Sequence, residues 1–337
     1  MNLHRRLRGL IPIAFYRGEA ETQVGWGKPL AIREMPMMGW ATRRAEELVT
    51  TDLGVLFDYA ENFDDAKFVG AIIHVSRCGS TALANAFKAI PDTLVLSEPD
   101  ILCHLIRERA WGGADIPDHY RRDLVRGFLG AVVKENPATN VVVKCSSAST
   151  ITLDQTLRYL PRVPWCFLSR APADVIASLE STPGMWLRTQ AVRERILLSI
   201  GRQSAHTSDA ERSRDLYAFL LERFYVAAME AANSDATFID YSTFGLDTVC
   251  AFMGQTLRRA VDDAARGAIA TSLQLYSKAV VRRPFVPPES IARRTGYHEL
   301  DAVYDEYLRF IGEFTARRSG AASFATGSLR EPAAQTA

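Results

Sequence analysis

From Phe68 onward, short apolar runs alternate with longer stretches of helical periodicity, and this alternation constrains the fold more than any other feature of the chain. Phe68–Val75, Thr93–Leu96, Val141–Val143, Val163–Leu168 and Ala236–Asp240 are strand-like. Helical patterns lie between and after them, at Thr81–Ile90, Pro99–Arg109, Pro117–Glu135, Thr150–Leu160, Pro172–Glu180, 185–200, 209–232, 243–253 and 257–274. Repeated strand–helix–strand units build a parallel sheet covered by helices. The expected fold is therefore α/β, a P-loop-type three-layer α/β/α arrangement around a central, mostly parallel five-stranded sheet.

Residues 1–66 break the pattern. Gly25-Trp26-Gly27 and Met35–Trp40 read as turns with large apolar anchors. Thr42–Leu56 carries Ala45, Leu48, Val49 and Leu53 at near-helical spacing and reads as a helix. We expect these residues to form an N-terminal extension packed on a core domain of residues 67–317. Glu299–Arg317 reads as the last helix, and the Ala/Gly/Ser-rich residues 318–337 as a disordered tail. The basic start followed by Leu10–Phe15 faintly resembles a signal peptide. The run is short, contains Pro12 and lacks a convincing cleavage site, so the expected location is the cytoplasm.

The formal net charge of +1 supplies no global basic field, so neither nucleic acid nor a membrane is an expected partner. No window is apolar over the length of a membrane span. The five cysteines are odd in number and contain no C-x-x-C pair, which fits buried thiols in a reducing compartment. An anion site, if present, must come from local placement.

Such placement exists at Ser76-Arg77-Cys78-Gly79-Ser80-Thr81, a polar turn between the first core strand and its helix. A helix N-terminus offers backbone N–H groups and the positive end of its dipole to an anion. Gly79 permits close backbone approach, Ser80 and Thr81 add hydroxyls, and Arg77 adds a fixed charge. The nucleotide-triphosphate signature G-x-x-x-x-G-K-[ST] is absent. Ligands of parallel sheets bind beyond the carboxyl ends of the strands. The later strands bring Ser97 and Glu98, then Lys144, Ser146 and Ser147, then Ser169 and Arg170 with Ser178 further along, then Tyr241 and Ser242. A cationic pocket holding one carboxylate suits a polyanionic donor and a base that deprotonates an acceptor.

These motifs together resemble sulfotransferases that use 3′-phosphoadenosine 5′-phosphosulfate (PAPS). Ser76–Thr81 is similar to their 5′-phosphosulfate loop, and Phe167–Ser178 to their 3′-phosphate motif, with Arg170 and a serine eight positions on. The pattern looks closest to bacterial and tyrosylprotein sulfotransferases, in which an arginine in the loop precedes a glutamate after the second strand. Arg77 and Glu98 match that spacing, and Lys144 matches a lysine after the third strand. The resemblance spans roughly residues 68–280. It implies that Arg77, Gly79, Ser80 and Thr81 hold the 5′-phosphate and sulfuryl group, and that Arg170 and Ser178 hold the 3′-phosphate. It implies Glu98 as general base, with Arg77 and Lys144 stabilising charge during transfer. PAPS would be the co-substrate, no metal would be needed, and the acceptor would be a hydroxyl of a small or carbohydrate-type molecule. The chain departs from the small-molecule branch at Ser146, where that branch carries a catalytic histidine, and at Cys78, where serine or glycine is usual.

Other readings stand beside this one. Glu98 could face a helix N-terminus, Lys144 could be a solvated strand end, and Arg170 could pair with Asp174 one turn away. Ser178 could be a small packing residue. His74 reads as a core histidine, and His104 and His119 as backup bases on helices near the mouth. Tyr276–Lys278 and Arg282-Arg283 fall where the family closes a loop over the nucleotide, and Trp186 could wall the pocket. A P-loop kinase-like phosphotransferase and a non-catalytic nucleotide binder are the alternative functions. Oligomeric state is not legible.

Overall fold

The computed structural model describes residues 3–17, 22–28, 45–107, 116–182, 209–275 and 295–327, with isolated positions besides. Among these residues eight strands run β1 Ile11–Arg17, β2 Thr22–Lys28, β3 Glu46–Asp52, β4 Phe68–His74, β5 Thr93–Ser97, β6 Asn140–Lys144, β7 Trp165–Ser169 and β8 Ala236–Asp240. The α-helices are α1 Leu3–Arg6, α2 Phe57–Ala60, α3 Ser80–Lys88, α4 Asp100–Ile106, α5 Asp118–Glu135, α6 Leu153–Tyr159, α7 Pro172–Ser181, α8 Asp209–Glu230, α9 Leu246–Leu257, α10 Asp263–Leu273 and α11 His298–Gly327.

The last five strands form one sheet in the order β5-β6-β4-β7-β8, with every neighbouring pair parallel. The expected α/β architecture with a central five-stranded sheet is what the chain adopts. Helices α3, α9 and α10 pack together as one group, and α4 to α8 with α11 pack as another. These two groups cover the two faces, which is why the core strands are apolar on both sides. In β4, Ala71, Ile72 and Ile73 are fully buried, and each of the isoleucines stabilises the fold by ~1.5–3 kcal/mol. Aromatic packing continues outward from β7 as Phe167 meets Tyr225 of α8 and Tyr307 of α11, with ring centroids 6.4 and 5.8 Å away. No described helix is long and apolar enough to cross a membrane.

Register aligns the carboxyl ends. Ser97 pairs with Lys144, His74 with Leu168, and Ser169 with Asp240. The chain leaves β4 toward β5 on one side of the sheet and leaves β7 toward β8 on the other. The crevice at this reversal, between the ends of β4 and β7, is where ligands of open parallel sheets bind.

Several local expectations differ from the structure. Thr42–Leu56 is not a helix: Glu46–Asp52 is strand β3, followed by a 3-10 turn at Leu53–Leu56. Leu48 and Thr50 are exposed whereas Val49 and Thr51 turn inward, a period of two, and the β-branched run Val49-Thr50-Thr51 favours a pleated strand. Gly25-Trp26-Gly27 lies within β2 rather than in a turn. The Tyr16 ring of β1 covers Gly25 so closely that an added Cβ would sit 2.5 Å from Cε2. The order β1-β2-β3 is antiparallel, and Trp26 is fully buried with its indole N–H on Thr51 Oγ1 at 2.8 Å. The helix expected at Thr150–Leu160 divides into a 3-10 turn at Ser147–Thr150 and α6. The helix expected to start near 243 begins at Leu246, because Asp240 accepts the Ser242 N–H and folds Tyr241–Thr243 into a 3-10 turn. The final helix runs on to Gly327, into the residues expected to form a disordered tail. The helix expected at 185–200, Trp186, most of Met35–Trp40 and residues 328–337 lie outside the described residues.

All five cysteines are free thiols and buried. Burial pushes Cys78 up to about 11, outweighing hydrogen bonds from neighbouring backbone and the charge of Lys144. Cys145 and Cys166 are raised for the same reason. A disulfide reagent at pH 8 is therefore expected to leave the native protein unlabelled over minutes and to titrate five thiols after denaturation. Rapid labelling of Cys78 in the folded protein would contradict its placement beneath the turn.

Candidate functional site

The turn after β4 is built from unusual backbone. Ser76, Arg77 and Gly79 have φ of 75°, 52° and 85°, and Gly79 is the N-cap of α3. Left-handed backbone suits glycine but strains serine and arginine, and such strain concentrates at functional sites. Gly79 is doubly required, since an added Cβ would also lie 3.2 Å from the Tyr241 ring. Ser80 and Thr81 open α3 and are both buried. The helix therefore presents its first turn, with its positive dipole end, to the crevice.

Glu98 follows β5 and is again left-handed, with φ of 52°. Its backbone N–H donates to the Lys144 carbonyl at 2.7 Å, extending the β5–β6 pairing by one residue. That kink returns its side chain to Lys144, whose Nζ donates to Glu98 Oε1. Lys144 is completely buried, whereas the Glu98 side chain keeps 20% of its surface. An ammonium carried out of water costs several kcal/mol unless paired, so Glu98 is the counter-ion that allows Lys144 to sit there. Lys144 is therefore not a solvated strand end, while Glu98 also stands directly before Pro99, the N-cap of α4. Three of the five non-glycine residues with positive φ among the described residues (Ser76, Arg77 and Glu98) thus lie at one sheet edge.

Arg170 follows β7 and is held from four sides. Its Nε and Nη2 face Asp174 Oδ2 at 3.4 and 3.2 Å, and its Nη1 donates to the Arg77 carbonyl at 3.2 Å. The Tyr241 ring lies 4.7 Å from the guanidinium carbon, and the Tyr225 hydroxyl donates to the Arg170 carbonyl. The ion pair with Asp174 is real, but it coexists with a bond that clamps the β4 turn to β7. The Arg77 guanidinium reaches the other way and donates to the Thr182 carbonyl at the end of α7. Ser178 is half-buried one turn earlier, its carbonyl accepting the Thr182 N–H. Arg77, Arg170 and the end of α7 are thus brought together on one side, and Glu98 with Lys144 on the other.

Tyr241 gains a place that its sequence position only hinted at. It is the first residue after β8, and its ring lies against both Gly79 and Arg170 while stacking on Phe244. Asp240 beside it is buried and accepts from Ser169, Ser242 and Tyr304, joining the ends of β7 and β8 to α11. Burial, and then this carboxylate, raise the pKa of the Tyr304 hydroxyl. His104 stands edge-on to Phe15 at 6.1 Å, beside the N-terminal sheet, and His119 lies against Tyr120 on the surface. Ser277 accepts from Asn85 of α3, which places one residue of the expected closing loop beside that helix. Tyr276, Lys278, Arg282 and Arg283 lie outside the described residues. Among the described residues no group of three or more His, Cys, Asp or Glu is disposed to hold a metal.

Fold and geometry define an α/β protein with a strained, arginine-bearing turn at the switch point of a parallel sheet. No family model matches the chain, and no curated protein sequence matches it. Among the solved structures similar to this chain are two sulfotransferases. One is a sulfotransferase from Alicyclobacillus acidocaldarius, with 18% identity over 58% of this chain and 85% of that chain, at a TM-score of 0.34. The other is the sulfotransferase domain from the curacin biosynthetic pathway, with 12% identity over 69% of this chain and 82% of that chain, at a TM-score of 0.37.

Proposed function

We propose that this chain is a PAPS-dependent sulfotransferase acting on a hydroxyl of a small-molecule or carbohydrate-type acceptor. The observation that carries the reading is the convergence of the left-handed Arg77 turn, the Glu98–Lys144 pair and the Arg170 clamp at the carboxyl ends of adjacent strands. Arg77, Gly79, Ser80 and Thr81 would receive the 5′-phosphosulfate end of the donor, and Arg170 with Ser178 the 3′-phosphate. Tyr241, set against Gly79 and Arg170, would pack between these two ends.

Glu98 takes the acceptor's hydroxyl proton, and the hydroxyl oxygen attacks sulfur in line. The bond from sulfur to the bridging phosphate oxygen breaks and leaves adenosine 3′,5′-bisphosphate. Sulfuryl transfer, like phosphoryl transfer, depends on positioning and on charge placed where it develops. Lys144 orients Glu98 and supplies that charge beside it, and Arg77 supplies it from the turn.

A thermal-shift comparison tests the donor. At 100-fold excess over Kd, adenosine 3′,5′-bisphosphate without magnesium is expected to raise Tm by about 5 °C, and ATP with magnesium by less. The reverse ranking would favour a kinase-like phosphotransferase and overturn this reading.

A further inference from the structure

His74 ends β4, is buried, and has both ring nitrogens directed at the functional turns. The Ser76 N–H donates to its Nδ1 at 3.0 Å, and its Nε2 lies 3.0 Å from the Cys145 carbonyl. An N–H can only donate, so Nδ1 carries a lone pair and Nε2 carries the proton that the Cys145 carbonyl accepts. The ring is neutral in this arrangement and its tautomer is defined. The same Nε2 is 3.7 Å from Glu98 Oε1. The Thr150 hydroxyl donates to the His74 carbonyl, fixing the strand end from the 3-10 turn.

We propose that His74 is a positioning residue that sets the Arg77 turn and ties it to the strand carrying Lys144. Its neighbours Ile72, Ile73 and Val75 are apolar and fill the core, so packing alone does not call for an imidazole here. Its two bonds do separate work. The Nδ1 bond is made to Ser76, the first of the left-handed residues, and favours the turn that delivers Arg77. The Nε2 bond crosses from β4 to the residue after Lys144, so the turn and the Glu98–Lys144 pair share one reference point.

The two bonds can be removed one at a time. His74→Asn places an acceptor at the position of Nδ1 and can close the same side-chain turn onto the Ser76 N–H. His74→Gln places a donor at the position of Nε2 and keeps only the tie to Cys145. Backbone amide exchange over Ser76–Gly79 is expected to stay near wild type in His74→Asn and to rise roughly 10-fold in His74→Gln, the factor for one lost hydrogen bond. Equal protection in the two variants would overturn the proposal. Wild-type protein gives a second measurement that needs no variant. Long-range proton–nitrogen spectra of His74 are expected to show Nε2 protonated and Nδ1 bare, and the opposite tautomer would overturn the proposal.

The functional consequence rests on the sulfotransferase reading. Adenosine 3′,5′-bisphosphate is expected to bind His74→Asn within about 2-fold of wild type and His74→Gln roughly 10-fold more weakly. Absence of binding by wild type refutes the donor, while the exchange and tautomer measurements still decide the role of His74. Wild-type binding with the two variants equally weakened refutes that role.

Discussion

Glu98→Gln is expected to lower turnover by about 10²–10⁴-fold, the usual contribution of a general base, while adenosine 3′,5′-bisphosphate still stabilises the protein. The amide keeps the shape and can still accept from Lys144, but it cannot take a proton. Steady-state kinetics with labelled donor, alongside thermal shift, separates the two effects. Unchanged turnover would remove Glu98 as the base.

Truncating the pair should reveal its asymmetry. Glu98→Ala leaves a fully buried ammonium with its charge uncompensated, and is expected to cost about 3–5 kcal/mol in urea denaturation. Lys144→Met leaves a carboxylate that still touches water and replaces a buried lysine with an apolar side chain of similar length, so it should cost less. The opposite order would mean that Lys144 gains its compensation elsewhere.

Arg170→Ala is expected to weaken bisphosphate binding by about 30-fold, as loss of a charge-assisted contact does. It also leaves Asp174, 9% exposed, without its guanidinium partner, so stability should fall as well. The double variant Arg170→Ala/Asp174→Ala removes that carboxylate as well. Stability should partly return while binding stays lost, because Asp174 orients Arg170 and does not meet the anion. Calorimetric titration with denaturation of the same samples reads both quantities. Recovery of binding in the double variant would show that Arg170 serves only its neighbour.

The core strands were legible because each is a short apolar run, rich in β-branched or, in β7, aromatic residues and closed by a polar turn, with little else to compete. The N-terminal strand β3 was not, since Leu48 and Val49 satisfy helical spacing although they point to opposite faces of a pleat. Looking just past each strand yields Arg77, Glu98, Lys144 and Arg170 as candidate site residues. It does not yield their contacts. The Glu98–Lys144 pair depends on β5 lying beside β6, a register set across the domain, and on a left-handed φ that no residue type in Leu96-Ser97-Glu98-Pro99 announces. Tyr241 was visible only as one more polar residue after β8. Its value comes from Gly79, whose missing side chain leaves room for the ring.

The strand order also has a temporal side. Strand β4 is the middle of the sheet, yet it is the first of the five to leave the ribosome. Its flanking partners β6 and β7 are encoded far downstream. A growing chain therefore carries Phe68–His74 as an unpaired apolar ribbon until Asn140–Lys144 has been made, and with one edge open until Trp165–Ser169 follows, and parallel pairing over such separations is slow and prone to aggregation. The Arg170 clamp on Arg77 forms only at that late stage. The turn after β4, encoded early, matures when the sheet closes around it, and a chain stalled before Arg170 has the residues of the turn without the clamp that holds it.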